Sequence, residues 1–326
     1  MANTVLLDIH GITGGAFGPV LEKARAVERL GFHGFWGSDH QMGGSGSATH
    51  VPVLDDWTVL AALAAHTERI RLGILVTGNT YRNPALLAKI VATVDVISKG
   101  RLDFGIGTGW REPEHRAYGF AYPPFRERLE RLDEAVTMFK LLCSQKDTTF
   151  KGKHYSLEDA PFEPKPVQKP HPPILMGGSG PGVLRLSAKH ADEWNGMGSP
   201  AYIAEKMKVL DARCRENGRD PSTLKKSCLV LVRVFDSNAE AEHYTLEEIE
   251  RLKVAGAQGL THRVKWVAQG ETLDEALRGS LLAGTPGEIV KRMRRFADIG
   301  AHRLMIGAPD MPTLQRIAKE IAPAFR

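Results

Sequence analysis

Apolar positions in this chain alternate between two rhythms. Short, nearly continuous apolar runs read as buried strands, and apolar residues at three- and four-residue spacing between them read as amphipathic helices. The clearest instance spans residues 69–106. Residues 70–76 are an apolar run broken only by Gly73, too short for a helix, and polar Thr77-Gly78-Asn79 stops it. Asn83-Pro84 then opens a helix, with Asn suited to the N-cap and Pro to the first helical position. Leu86, Leu87, Ile90, Val91, Val94 and Ile97 give that helix its apolar face, Gly100 ends it, and residues 101–106 start the next strand. Strand, helix and strand in this order form a βαβ unit, whose crossover requires a parallel sheet. Polar groups gather at the C-terminal ends of both strands, where α/β sheets and barrels bind ligands.

The same rhythm predicts strands at 5–9, 34–37, 174–177, 193–196, 228–235 and 303–307. It predicts helices at 19–30, 58–66, 125–142, 181–190, 200–216, 286–299 and 312–322, with a helical region at 239–253. Thr285-Pro-Gly-Glu288 has the spacing of a capping box. Residues 143–173 break the rhythm. A small hairpin over 148–155 turns at Lys151-Gly152, and the six prolines from 161 to 173 exclude a helix. This segment is expected as an insertion over the barrel mouth, and 254–280, polar and glycine-rich, as a second insertion resembling a mobile loop. Eight strand–helix units give an α/β fold, a (β/α)8 barrel formed by one domain over 1–326 with insertions at its C-terminal mouth. A doubly wound sheet with a small second domain is the alternative topology, and the unit count favours the barrel.

Composition narrows the function classes. Hydrophobic content of 42% and charged content of 25% are ordinary for a globular chain. No apolar run reaches the roughly 18 residues of a membrane span, and no signal peptide is visible. Cys143, Cys214 and Cys228 are odd in number and far apart, as in packed, reduced thiols. A cytoplasmic protein is expected. The net charge is +5, yet bases alternate with acids, as in Arg126-Glu-Arg-Leu-Glu-Arg131, so no nucleic-acid face is expected. A mild positive field suits an anionic cofactor or substrate.

Four strand ends carry candidate chemistry. Ser38-Asp39-His40 places an imidazole beside an acid, which suits proton transfer, and equally suits a loop histidine with an Asx turn. Leu75-Val76-Thr77-Gly78-Asn79 is a strand end followed by a polar turn. Gly105-Ile-Gly107-Thr108-Gly109-Trp110 lacks the spacing of either common phosphate loop, but its glycines permit close approach of a flat ligand, and Trp110 can stack on a ring. Glu112, Glu114 and His115 follow, either reaching a substrate or forming a solvated loop. Gly177-Gly178-Ser179-Gly180-Pro181 precedes a helix, where free N–H groups favour an anion. Trp36, Trp57 and Trp194 fit packing roles. No common zinc motif is present, and a metal-dependent hydrolase using Asp8, His10, Asp39 and His40 is a remote alternative.

Taken jointly, Ser38-Asp39-His40, residues 72–84 and residues 95–110 resemble the luciferase-like monooxygenase superfamily of flavin- and deazaflavin-dependent barrels. Residues 112–119 and 285–288 also fit, the former resembling the branch that uses the deazaflavin coenzyme F420. The resemblance implies a cofactor ring across the barrel mouth, backed by a bulge with a non-proline cis peptide at Leu75-Val76. It implies Asp39 and His40 at the ring's polar edge, with His40 and Asp39 as catalytic candidates. Thr77, Asn79, Thr108, Gly109 and Trp110 would line its path, and Gly177, Gly178 and Ser179 would hold the phosphate, with no metal. Some deazaflavin dehydrogenases carry Glu where this chain has Trp110. The implied activity is hydride transfer between F420 and a small organic substrate. The alternatives are an FMN-dependent monooxygenase using O2 and a barrel that binds cofactor without turnover. A homodimer is implied, as is a separate flavin or F420 reductase supplying reduced cofactor. Neither nucleic acid nor membrane is an expected partner.

Overall fold

Each predicted strand–helix boundary lies where an apolar run meets a turn residue, and the computed structural model places the elements accordingly. It describes residues 5–12, 14–43, 50–257, 263–307 and 309–326. In chain order the strands are β1 (Leu6–His10), β2 (Gly34–Gly37), β3 (Arg71–Ile74), β4 (Thr77–Gly78), β5 (Leu102–Gly107), β6 (Asp147–Lys151), β7 (Ser156–Pro161), β8 (Ile174–Gly177), β9 (Glu193–Gly196), β10 (Lys225–Val234), β11 (Leu281–Gly284) and β12 (Arg303–Gly307). The helices are α1 (Phe17–Arg29), α2 (Asp56–His66), α3 (Pro84–Ile97), α4 (Glu112–Tyr118), α5 (Phe125–Ser144), α6 (Pro181–His190), α7 (Pro200–Glu216), α8 (Asn238–Ala257), α9 (Leu273–Ser280), α10 (Pro286–Asp298) and α11 (Met311–Arg316).

Parallel pairing runs β10-β12-β1-β2-β3-β5-β8-β9, and β9 pairs back to β10, closing an eight-stranded barrel. Asn83 caps α3 through Ala85 N–H, with Pro84 in the first turn. The barrel interior holds Trp36, Leu175 and Met305, with Leu75, Val76 and Leu229 packed above them. A far larger apolar layer, including Phe35, Phe104 and Trp194, seals strands to helices.

Three expectations change. Residues 143–173 do not cover the mouth. Glu134 on α5 accepts from the backbone N–H groups of Lys153, His154 and Tyr155, which lays the β6–β7 hairpin along the outside of that helix. Gln168 bonds Asp95 at the end of α3, the Leu102 carbonyl at the start of β5, and Arg71 at the start of β3. These partners lie at the N-terminal end of the barrel. Residues 273–284 are not loop: α9 and β11 follow, and β11 pairs with residues 231–234, the part of β10 beyond its pairing with β12. Ile249, Leu252, Leu277 and Leu281 form a satellite core there. The capping box is at Thr272 and Glu275, where both reciprocal bonds form, whereas Thr285 makes no side-chain cap. Part of the expected loop, 258–262, lies outside the described residues.

Candidate active site

The sequence around Ser38 ends a strand buried on both faces, so its polar groups emerge at the rim already short of water. Asp39 takes a left-handed conformation (φ 56°), which its short polar side chain tolerates. Its backbone N–H, like that of Ser38, donates to Asp56 Oδ2, at 2.7 and 2.6 Å. Asp39 Oδ2 accepts from Thr77 and, at 2.7 Å, from Arg82. Burial raises the Asp39 carboxyl against the opposing pull of Arg82 and Thr77. Burial likewise pushes Asp56 up to about 6, against its two backbone N–H bonds.

His40 turns the other way. Its Nδ1 lies 3.0 Å from Glu114 Oε2. Glu114 sits on α4 and is fully buried, held by the Tyr81 hydroxyl at 2.6 Å, by the Met42 N–H at 2.8 Å and by Arg111 at 3.3 Å. Burial works to raise the Glu114 carboxyl, but His40 and Tyr81 outweigh it and hold it near 2. An ionised Glu114 only accepts, so Nδ1 carries a proton, and the neutral imidazole presents Nε2 as its acceptor. Trp110 stands edge-on to the His40 ring, with centroids 5.7 Å apart. His10, bonded to Ser38 Oγ at 3.0 Å, is pushed down to about 4 by burial, and nearby His40 adds to that shift. His10 is therefore a neutral packing partner.

The strand-three bulge is present, with a cis Leu75–Val76 peptide. Glycines make room for it: a Cβ on Gly105 would lie 1.8 Å from the Ile74 carbonyl oxygen, and one on Gly107 would lie 2.8 Å from Val76. Just beyond, Asn79 is 1% exposed with neither side-chain amide atom bonded, and Asp39 Oδ1 is also buried without a partner. Buried polar groups are almost always satisfied, and three unpaired atoms gather here on neighbouring strand ends. Thr108 and Gly109 flank this position, and Thr80 Oγ1 bonds His115 Nε2 at 2.6 Å beneath Gly109. Across the mouth, the Trp194 indole donates to the Gly178 carbonyl at 2.8 Å. Gly178 (φ 127°) is exposed, and a side chain on Gly180 would meet nothing within 4 Å. The loop before α6 is thus open for an anion.

Beside His40 lies a cleft of about 430 Å3, bounded by Val20, Met42, Val53, Val59, Trp110 and Arg111 among others. A wider cavity of about 760 Å3 lies among α7, α8, α9 and α10. Its Arg278 is paired with Glu242, its Arg292 bonds backbone carbonyls, and it contains neither His40 nor the unpaired groups. The hydrolase ligand set is not assembled: Asp8 is bonded to His33, Trp36 and Arg303. Among the described residues no three metal-ligating side chains converge. Glu114 is the candidate residue that the motifs placed but did not single out. Its proline-flanked, charged neighbourhood resembles a solvated loop, and contacts distant in sequence, with His40, Met42 and Tyr81, hold it in a buried place.

A closed parallel barrel whose mouth joins an oriented histidine, a bulged third strand and unpaired buried polar groups defines a barrel enzyme built around an organic cofactor. The chain belongs to the luciferase-like monooxygenase family, whose sequence profile matches residues 5–303. It is 28% identical over 327 residues to an F420-dependent glucose-6-phosphate dehydrogenase of Intrasporangium calvum, covering 95% of this chain and 96% of the relative. It is 28% identical to an F420-dependent hydroxymycolic acid dehydrogenase of Mycobacterium tuberculosis, covering 86% and 77%. In fold it is similar to an F420-dependent secondary alcohol dehydrogenase in complex with an F420-acetone adduct, with a TM-score of 0.82, 21% identity and 99% of each chain covered.

Proposed function

We propose that this protein is an oxidoreductase that moves a hydride between coenzyme F420 and a small organic substrate. The carrying observation is the set of unpaired buried atoms, Asp39 Oδ1 and both amide atoms of Asn79, beside an oriented His40. Full-length likeness to F420-dependent dehydrogenases supports the deazaflavin over FMN.

The residues present fit such a cofactor. Asp39 and Asn79 would meet the ring's polar edge, Leu75 and Val76 would back its face, and Thr77, Thr108, Gly109 and Trp110 would border it. Gly177, Gly178 and Ser179 would hold its phosphate through backbone N–H groups and the start of α6. The deazaflavin, when bound, supplies a carbon centre that exchanges a hydride in one two-electron step. The chain's own work is proton handling and positioning. Glu114 fixes the His40 tautomer, so that Nε2 accepts a substrate proton during oxidation and returns it during reduction. Trp110 occupies the place where some relatives hold an acid, so His40 is the proton acceptor at this rim. A homodimer and a separate reductase belong to the reading through family likeness alone.

Equilibrium titration tests it. Oxidised F420 should bind more tightly than FMN, near one per chain. Tight stoichiometric FMN without F420 binding would replace the reading with the flavin monooxygenase alternative.

A further inference from the structure

His115 follows Glu114 on α4 and is fully buried. An imidazole is costly there unless its ring nitrogens are satisfied, and both are. Nδ1 meets the Arg111 carbonyl at 2.9 Å. A carbonyl only accepts, so Nδ1 carries a proton, and the neutral imidazole takes the Thr80 hydroxyl on Nε2, at 2.6 Å. Tyr81 and Tyr122 pack against the ring, with centroids 4.9 and 4.7 Å away. The Tyr122 hydroxyl in turn donates to the Trp110 carbonyl at 3.0 Å.

These contacts join the two stretches that would border the cofactor ring. Pairing of β4 with β5 reaches Gly78 and Gly107, and the Asn79 N–H donates to the Gly107 carbonyl at 2.9 Å. Beyond that bond both stretches leave the sheet. They touch again at Gly109 (φ 70°), where a Cβ would lie 2.5 Å from Thr80 Oγ1 and 3.4 Å from His115 Nε2. The His115–Thr80 bond therefore sits where the two stretches meet. Loops left free lose conformational entropy when a ligand orders them, and that loss weakens binding. On the basis of the F420-dependent activity proposed above, we propose that His115 is a positioning residue. Through Thr80 it fixes residues 79–80 against 108–109 before the cofactor arrives, so the deazaflavin ring enters a slot already formed.

The test is equilibrium titration of the full chain with oxidised F420, alongside thermal melts. His115→Phe keeps a ring between the two tyrosines and removes the acceptor, and Thr80→Val removes the donor. Each should weaken F420 binding roughly five- to tenfold, the worth of one such bond. The double variant should bind no more weakly than either single one, because both changes remove the same bond. Thr80→Ser keeps the hydroxyl and should stay within about twofold of the parent. His115→Gln, whose amide oxygen can stand in for Nε2, should recover part of the loss. A lower melting temperature with unchanged affinity would make His115 a packing residue. Losses that multiply in the double variant would show that the two residues act independently. Either result overturns the proposal while the cofactor reading stands. If His115→Phe does not fold, Thr80→Val against Thr80→Ser decides the matter. A parent that binds no F420 overturns both.

Discussion

His40 offers the cleft only one nitrogen, because Glu114 occupies the other. The acid is itself pinned from three directions, by Tyr81, Met42 and Arg111, so the imidazole plane follows the position of α4. His40→Ala should slow hydride turnover by roughly a hundredfold or more, with cofactor affinity changed far less. A loss of stability at unchanged turnover would make His40 a packing residue. Glu114→Gln keeps the shape and removes the charge, and should cost roughly ten- to a hundredfold in kcat, as losses of orienting partners do. It also has a stability signature. The folded Glu114 carboxyl sits near 2, below its ordinary 4.5, so its contribution is complete above about pH 4.5 and fades as pH falls towards 2. Urea midpoints of parent and Glu114→Gln should therefore differ at pH 6 and converge in that acid window. A constant difference across it would show that the charge is not what Glu114 contributes.

Between residues and barrel, the elements divide into those legible in the chain and those that were not. β3, α3 and β5 announced themselves because cap, apolar period and terminator agree: Asn83, Pro84, the Leu86–Ile97 face and Gly100. The polar strand ends were legible for the same reason, since Thr77 and Asn79 follow an apolar run that must be buried. Glu114 was not legible, because charge pattern cannot report that Tyr81, thirty-three residues earlier, closes over it. α9 and β11 were missed because glycine and polar content masked a short helix whose apolar residues, Leu273 and Leu277, meet α8 rather than the barrel. Direction was lost for 143–173, whose prolines exclude a helix and say nothing of which barrel end they cover. The loop between β8 and α6 now allows a cleaner test of the phosphate position. Gly178→Val confounds two effects, since φ is 127° and the new Cβ would press on Val183 at 3.3 Å, at a cost of about 1–3 kcal/mol in strain. Gly180 has φ −70° and open space around it. Gly180→Val should therefore melt near the parent temperature while weakening F420 binding at least tenfold. Equal affinity in parent and variant would place the phosphate elsewhere, by strands β10 and β12.

At the scale of the whole barrel, ligand chemistry and stability occupy opposite ends. The mouth carries His40, Asp39 and Asn79, whereas the N-terminal end carries a buried ionic cluster that ties strands across the barrel. Arg303 on β12 reaches Asp8 on β1 at 3.3 Å, Asp103 on β5 at 3.0 Å and Glu193 on β9 at 3.4 Å. Arg71 on β3 reaches Asp103 at 2.5 Å. Burial works to raise Asp103, but Arg303 and Arg71 outweigh it and hold the carboxyl below its ordinary value. Each carboxylate keeps another partner without Arg303: Trp36 and His33 for Asp8, Arg71 for Asp103, His302 for Glu193. Even so, Arg303→Leu leaves three buried acids with too little positive charge, and breaking such a cluster from one side costs about 3–5 kcal/mol. The sign with pH follows from Asp103. Its contribution is present above its ordinary pKa of 3.8 and is lost as pH falls through the lower folded value. The penalty of Arg303→Leu in urea unfolding should thus be largest near neutral pH and shrink in acid, as the stranded carboxylates take up protons. F420 affinity, measured on folded protein, should stay within about twofold of the parent, because the cluster and the unpaired Asp39 and Asn79 atoms lie at opposite strand ends. Unchanged stability would mean that the cluster adds nothing net to barrel closure. A large loss of affinity in a variant of normal stability would show that the two ends are coupled through the strands, and the division between them would not hold.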